Sequence, residues 1–523
     1  MKKRILMVLM GIFLLAAQAM AQQKTVTGRV TGEAGESLPG ASIVIKGTSL
    51  GTQSNSDGNY SVLVSVGQVL QFRLFGNAPV ERTVGAEDVI NVQLRRVATS
   101  LNAMVVTALG ETTVKRSLGT SQQSVAGSDI AQTNRQNFIN ALQGRVAGVE
   151  VTSTSGVPGA STSITIRGIS SISSSNQPLM IIDGLPLDNK TMRTAQLASD
   201  APNSPTAFNN RGLDFTNRAA DINPEDIESL VVLKGPEASA LYGIDAANGA
   251  IVITTKRGKP GAGGFEYSNF FRMDTPGGQP EIQRVYSAIN ASGSPILGSS
   301  TYLYYGVPYA PGTKFYDNVS GFFKTALTQK HSLAFSGAAP DNRINYRIAV
   351  SADKQEGVVP NTNYNRINLT GATQSVVNSW LKADLSMTYA YSTNDQAFKG
   401  AGGPLLGLMA WPQDDNAADW QTPAGTRRRY STLSDASEND NPYFSVAKNS
   451  INSKTNRILS NIGLTIAPWA WGNLKTNIGV DNYTNSNLIL RHPESTYGYS
   501  NGGILDINTD LTRSISTQTL LNI

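Results

Sequence analysis

The second half of the chain alternates. Within residues 258–523, Ile344, Tyr346, Ile348 and Val350 share one face of an extended strand, while Arg343, Asn345, Arg347 and Ser351 share the other. Leu381, Ala383, Leu385, Met387, Tyr389 and Tyr391 alternate with Lys382, Asp384, Ser386, Thr388 and Ser392. Leu474, Ile478 and Val480 alternate with Lys475, Asn477 and Asp481. A period of two over about ten residues per strand commits this region to sheet with one apolar and one polar face. Two architectures use the pattern: a lipid-facing barrel wall around a wet interior, and a large soluble β-sandwich. Connection lengths favour the first. Residues 339–342, 375–378 and Pro468-Trp469-Ala470-Trp471-Gly472 are short, whereas residues 354–363 form a longer loop and 394–454 lack strong alternation. Short turns at one end and long loops at the other fit a membrane barrel. The two Trp of the 468–472 turn stand at an interface-like position. Trp411, Trp420 and Tyr430 fall in the long loop, where they either stack on a sugar or pack the loop itself.

The N-terminus is an address. Lys2, Lys3 and Arg4 precede an apolar run over 5–17 that is too short to span a bilayer comfortably. Ala19-Met20-Ala21 supplies a small-x-small pattern, so a secretory signal with cleavage after Ala21 is expected. Those three cations also make up most of the excess of 43 Lys+Arg over 38 Asp+Glu, which removes the charge argument for a nucleic-acid partner. Cysteine is absent, so disulfides, thiolate metal sites, a Cys nucleophile and lipid anchoring through cysteine are excluded for these residues. Two histidines do not make a multi-His metal site.

Residues 22–97 carry short β-rich runs at 25–30, 41–45, 60–64, 69–74 and 89–94, separated by Pro39-Gly40, Asn55-Ser56-Asp57-Gly58 and Gly76-Asn77. Gly and Asn tolerate the positive φ of tight turns, and about seven short strands in this length predict a β-sandwich. Val26-x-Gly28-x-Val30, Leu38-Pro39-Gly40-Ala41, Gly47-Thr48-x-x-Gly51 and Asp57-Gly58-x-Tyr60 resemble the carboxypeptidase-regulatory-like domain. That name carries no peptidase activity, and no zinc ligands accompany it.

Residues 98–114 are a linker with a short β-prone segment. A lone extended segment must stay solvated or add to another sheet's edge. Residues 115–257 then present four blocks in order. They are Ala141-Leu142-Gln143-Gly144-Arg145-Val146-Ala147-Gly148-Val149, Ile164-Thr165-Ile166-Arg167-Gly168, residues 178–186 (Pro-Leu-Met-Ile-Ile-Asp-Gly-Leu-Pro), and residues 223–254, from Asn223-Pro224-Glu225-Asp226 to Ala246-Ala247-Asn248-Gly249-Ala250. Ile164-x-Ile166, 179–182, 230–233 and 250–254 read as short apolar strands. Asn223 is a helix N-cap with Pro224 first in the helix. Glu225, Asp226 and Glu228 then complement the helix dipole rather than pairing as catalytic acids.

Taken together, the four blocks resemble the plug domain of SusC/RagA-like TonB-dependent transporters. The resemblance implies a mainly β chain: an N-terminal β-sandwich (22–97), an α+β plug (115–257) and the first part of a transmembrane antiparallel β-barrel (258–523), about 22 strands in the whole family. It identifies Met104, Val105, Val106, Thr107 and Ala108 as a TonB box, which in the family pairs with a strand of TonB. It implies an outer-membrane location, with the sandwich and box in the periplasm and the long loops outside. The implied partners are TonB with ExbB/ExbD, a SusD-like surface lipoprotein, a nutrient (oligosaccharide or peptide) and outer-membrane lipid; no cofactor and no catalysis are implied. Ile244-Asp245 departs from the basic residue usual before Ala246, which puts a plug–barrel ion pair there in doubt, and Phe75-Gly76-Asn77 differs in form from the family's aromatic turn.

A surface adhesin or carbohydrate-binding β-protein would explain the sandwich and the loop aromatics but not the ordered blocks. A secreted hydrolase is weaker still, since no nucleophile elbow, zinc set or paired-acid pattern stands out. Residues 258–523 leave room for roughly ten strands, and Leu520-Leu521-Asn522-Ile523 lacks a barrel's terminal aromatic, so a fragment or truncated frame is expected.

Overall fold

A computed structural model describes residues 23–95, 104–106, 112–114 and 121–522, apart from internal stretches of which 192–212 and 430–438 are the longest. The expected cleavage after Ala21 lies outside the described residues, as do Phe75 and Gly76. The chain divides into two compact units, Met1–Met104 with Val114–Ser117, and Val105–Thr113 with Leu118–Ile523.

The first unit holds β1 (Gln23–Thr31), β2 (Ser42–Ile45), β3 (Gly51–Gln53), β4 (Asn59–Ser65), β5 (Val69–Arg73), β6 (Val80–Thr83) and β7 (Val92–Gln93). They form two sheets, ordered β4-β1-β7 and β3-β2-β5-β6. Val26, Val30, Ile43, Val62, Leu70, Phe72 and Leu94 pack between them. Alternation does the sorting: β4 buries Tyr60, Val62 and Val64 and exposes the residues between. Gly28 has a steric cause, because a β-carbon there would stand 1.9 Å from the Ile90 carbonyl oxygen. Tyr60 donates its hydroxyl to that same oxygen at 2.8 Å, and burial pushes its phenol up to about 12. β8 (Met104–Val106) and β9 (Thr112–Val114) pair with each other as a separate two-stranded sheet.

The second unit opens with β10 (Gln122–Ala126), α1 (Gly127–Ala131), β11 (Val149–Ser153), β12 (Thr162–Ile166), β13 (Leu179–Ile182), β14 (Leu185–Leu187), β15 (Ile227–Leu233), α2 (Pro236–Tyr242) and β16 (Ala250–Thr255). Five strands make one mixed sheet ordered β10-β15-β16-β13-β14, and β11 pairs with β12 apart from it. The continuous apolar runs of β15 and β16 now have their reason. Leu230, Val232, Ile251 and Ile253 face one cluster, while Val231, Leu233, Ala250 and Val252 face another on the opposite side. Sheet covered on both faces loses the apolar–polar alternation. One expectation is corrected. Residues Pro224–Asp226 form a single 3-10 turn, not a helix, because β15 begins at Ile227; the Asn223 side chain still caps it, accepting from the Glu225 amide at 3.3 Å.

β17 (Gly264–Asp274) starts the wall. A connection containing the hairpin of β18 (Leu297–Gly298) and β19 (Thr301–Tyr302) leads to β20 (Ala326–Ala338), β21 (Ile344–Glu356), β22 (Asn363–Val376) and β23 (Leu381–Gln396). The long loop then carries α3 (Pro404–Ala410) and α4 (Pro442–Lys448) before β24 (Ser450–Trp469), β25 (Gly472–Arg491) and β26 (Ile504–Asn522). β17 and β20 to β26 form one antiparallel sheet in sequence order. Among the described residues the wall has eight strands rather than about ten, because its strands run to 20 residues. Lys354 lies inside β21, which shortens the following loop to residues 357–362.

The polarity of this sheet is inside out. Ile344, Ile348, Leu369 and Met387 are exposed, Ile348 at 55 %, while Asn345, Arg347, Ser351, Arg366 and Asn368 are buried, Arg347 at 5 %. A soluble sandwich buries its apolar face; a membrane barrel buries its polar one. Trp469 and Trp471 stack at a short turn with ring centroids 5.3 Å apart, both exposed. The outward face generates a prediction. Ile348→Arg costs about 2–4 kcal/mol near the bilayer midplane, whereas Ile348→Leu is near neutral. The check is the urea midpoint of the membrane-inserted protein.

Candidate functional site

The wall's buried polar face must find partners, since buried charge without them is expensive. Many of them lie in one segment. Residues 213–226 precede β15 and contain two 3-10 turns, Arg218–Asp221 and Pro224–Asp226. Turns this short leave most of their carbonyls without internal donors. At the first turn wall side chains supply them. Arg366 donates to the carbonyls of Ala220 and Ile222, Asn368 to Asp221 at 2.6 Å, and Arg457 to Arg218 at 2.9 Å.

Ion pairs run alongside. Glu225 meets Lys330 of β20 at 3.0 Å and accepts from Ser268 of β17 at 2.5 Å. Asp226 meets Arg347 of β21 at 2.6 Å and accepts from Thr370 of β22 at 3.0 Å. Asp221 meets Arg457 of β24 at 3.1 Å, and Arg457 reaches on to Asp481 of β25 at 2.6 Å. Arg218 pairs with Asp221 at 3.3 Å and donates to Thr455 at 2.6 Å. Arg366 pairs with Asp353 inside the wall. Asn394 of β23 donates to Thr216 at 2.9 Å, and Lys399 meets Asp214 at 2.8 Å. Phe215 packs with Phe398, Ile451 and Ile489.

The segment is therefore a strap fastened to successive strands along the wall. In these pairs it carries four carboxylates and one guanidinium, while the wall side chains facing it carry five cations and two carboxylates. An excess of three negative charges meets an excess of three positive ones. Burial alone would raise the Glu225 carboxyl, but the charge of Lys330 and bonds from Ser268, Lys330 and Ser332 outweigh it and hold the group below its usual range. Such pairs add little net stability over apolar packing, yet removing one partner strands a buried charge. They hold position more than they add stability.

The residues singled out by sequence fall elsewhere. Met104, Val105 and Val106 form β8; Thr107 and Ala108 lie outside the described residues. Trp411 is 2 % exposed, and its indole Nε1 donates to Asp415 at 2.9 Å. Trp420 lies half-buried, 6.0 Å from the Phe444 ring with the Lys448 ammonium 5.9 Å from its own. Tyr430 lies outside the described residues. Ile244 is 85 % exposed; among the described residues the ion pairs from plug to wall come from the strap and from Arg257, which meets Asp384 of β23. Sequence reasoning misses Lys330, Arg347, Arg366 and Arg457 as site residues. Their one sequence signal is a charge at a strictly alternating position on the wet face.

Comparison with known proteins agrees with this geometry. Residues 114–250 match the TonB-dependent Receptor Plug Domain, and residues 26–106 match the CarboxypepD_reg-like domain. The chain is 30 % identical over 450 residues to the TonB-dependent receptor SusC of Bacteroides thetaiotaomicron, covering 85 % of this chain and 42 % of that one. It is 27 % identical over 514 residues to a TonB-dependent receptor of Formosa agariphila, covering 96 % of this chain and 44 % of that one. The chain thus spans less than half the length of these relatives. Among solved structures it resembles one described as the RagAB peptide transporter, with TM-score 0.56 and 21 % identity over 77 % of this chain and 46 % of that one, a likeness of fold.

The strap generates two predictions. Asp226→Ala leaves Arg347 buried and unpaired, and lowers the stability of plug seating by about 3–5 kcal/mol. It is measured as the shift in urea concentration at which a protease first cuts the plug, and Asp226→Leu with Arg347→Met recovers most of the loss. The second concerns pH. Because the folded Glu225 carboxyl titrates below its ordinary 4.5, its contribution is complete above that value and is lost as pH falls through the depressed one. Seating measured between about pH 6 and pH 3 weakens on acidification, and Glu225→Gln flattens that part of the profile.

Proposed function

We propose that this chain, which is SusC/RagA-like and carries a TonB-dependent receptor plug, belongs to an outer-membrane importer that moves a nutrient inward without making or breaking a bond in it. The observation that carries this reading is the wall with its apolar side outward and its polar side bonded to a plug that has its own sheet. An adhesin has no use for such a stopper.

In this reading substrate is an oligosaccharide or a peptide, captured outside between the long loops and a SusD-like lipoprotein. TonB, powered through ExbB/ExbD, pairs with Met104, Val105, Val106, Thr107 and Ala108 on the periplasmic side. Strand pairing is a sound grip because many backbone hydrogen bonds load together. Pulling there reaches β9 and then β10, the edge strand of the plug sheet, while β15 follows directly on the strap. The domain limits that go with this function are a signal to residue 21, a sandwich at 22–97, a linker at 98–114, a plug at 115–257 and the wall from 258.

Deleting residues 103–109 separates the parts. Uptake is lost, while the receptor stays in the outer membrane and resists carbonate extraction. Undiminished uptake removes the segment from the mechanism, and release by carbonate removes the barrel.

A further inference from the structure

The strap is one attachment of plug to wall; the β13–β14 hairpin is another of different chemistry. Asp183 and Gly184 form its two-residue turn, both with positive φ, 47° and 91°. Polar groups pin both ends. Asn461 of β24 donates to the Asp183 carbonyl at 3.0 Å, while the Asp183 carboxylate accepts from the Thr255 amide and hydroxyl at 3.0 and 2.7 Å. Further on, Arg457 donates to the Asp188 carbonyl at 3.0 Å and Tyr483 to its carboxylate at 3.1 Å.

Between these pins stands Leu185. It is only 6 % exposed, yet among the described residues it packs into neither apolar cluster flanking the plug sheet, as Leu187 does. Its cover comes from the wall. A β-carbon on Gly479 of β25 would stand 1.8 Å from Leu185 Cδ1 and 3.0 Å from its Cγ. Gly479 has no positive φ that would call for glycine. In mid-strand a glycine weakens the sheet unless something approaches closely, and here the leucine does. A cavity of about 30 Å³ adjoins the contact, lined by Leu185, Gly479, Ser386 and Asp481.

We propose that Leu185 and Gly479 are a positioning pair: a leucine knob on the plug hairpin seated in a gap that the wall leaves by omitting one side chain. The proposal rests on reading β20–β26 as a transporter wall. The strap's long polar side chains tolerate small shifts, whereas an apolar knob in a hole admits one register. The pair thus decides where the closed plug sits.

None of these 523 residues is a cysteine that would compete in a cross-link test. In the Leu185→Cys variant the sulfur would take roughly the place of Cγ, and about 3 Å from sulfur to the opposite β-carbon is what a disulfide requires. In the full-length receptor, assembled in the outer membrane and shown folded by heat-modifiable mobility, Leu185→Cys with Gly479→Cys forms a disulfide under mild oxidant in most molecules; neither single variant does. Gly479→Val suits a strand but fills the gap, and raises the plug's protease cleavage or small-solute leak about tenfold. Adding Leu185→Ala to Gly479→Val returns it toward the wild-type value. An assembled double-cysteine receptor that does not cross-link overturns the proposal, as does a Gly479→Val leak at wild-type level or one that Leu185→Ala leaves unchanged. Should Gly479→Val not assemble, the cross-link alone decides. These readouts need no substrate, so a failed seat leaves import standing, and failed import beside an intact cross-link counts against import alone.

Discussion

Lipid cannot hydrogen-bond a polar group, and that constraint orders the molecule. Strands that meet lipid must satisfy their backbones in a ladder and turn their polar side chains away. Turning Arg347, Asp353, Arg366, Arg457 and Asp481 inward moves the problem without solving it, because the interior must then offer matching charge. The plug is the answer. Its strap brings Asp214, Asp221, Glu225 and Asp226 to wall cations, and wall guanidinium and amide groups finish the carbonyls that the first 3-10 turn leaves open.

The two attachments differ in their chemistry. Buried ion pairs are specific but contribute modest net stability, so a strap held by them stays in place without being locked. The β13–β14 hairpin adds a shape constraint, through Leu185 against Gly479. Charge spread over several strands sets the general place of the plug, and one apolar contact sets its register.

Much of this was legible. The runs at 60–64 and 69–74 are β4 and β5 nearly residue for residue, because a strand with one buried face writes that face as a period of two. The unbroken runs of β15 and β16 signal burial on both sides. The acids after Asn223 mislead. They satisfy every local rule for a helix start, and Asn223 does cap a turn, but a strand starting at Ile227 leaves no room for a helix. Glu225 and Asp226 answer to Lys330 and Arg347, more than a hundred residues away. Trp411, read as either stacking on a sugar or packing the loop, is buried in the loop with its indole on Asp415, four residues on.

By itself the sequence determined where many of the strands lie, which side of them is apolar, and, through four ordered blocks, the kind of protein they resemble. It could do so because periodicity and turn chemistry are local. Only the tertiary structure decided that the apolar side faces out, which wall cation meets which plug carboxylate, and why residue 479 is a glycine. Alternation is the same whichever face is buried, and the partner of a buried charge or an empty notch is a matter of distance in space, which spacing along the chain does not encode.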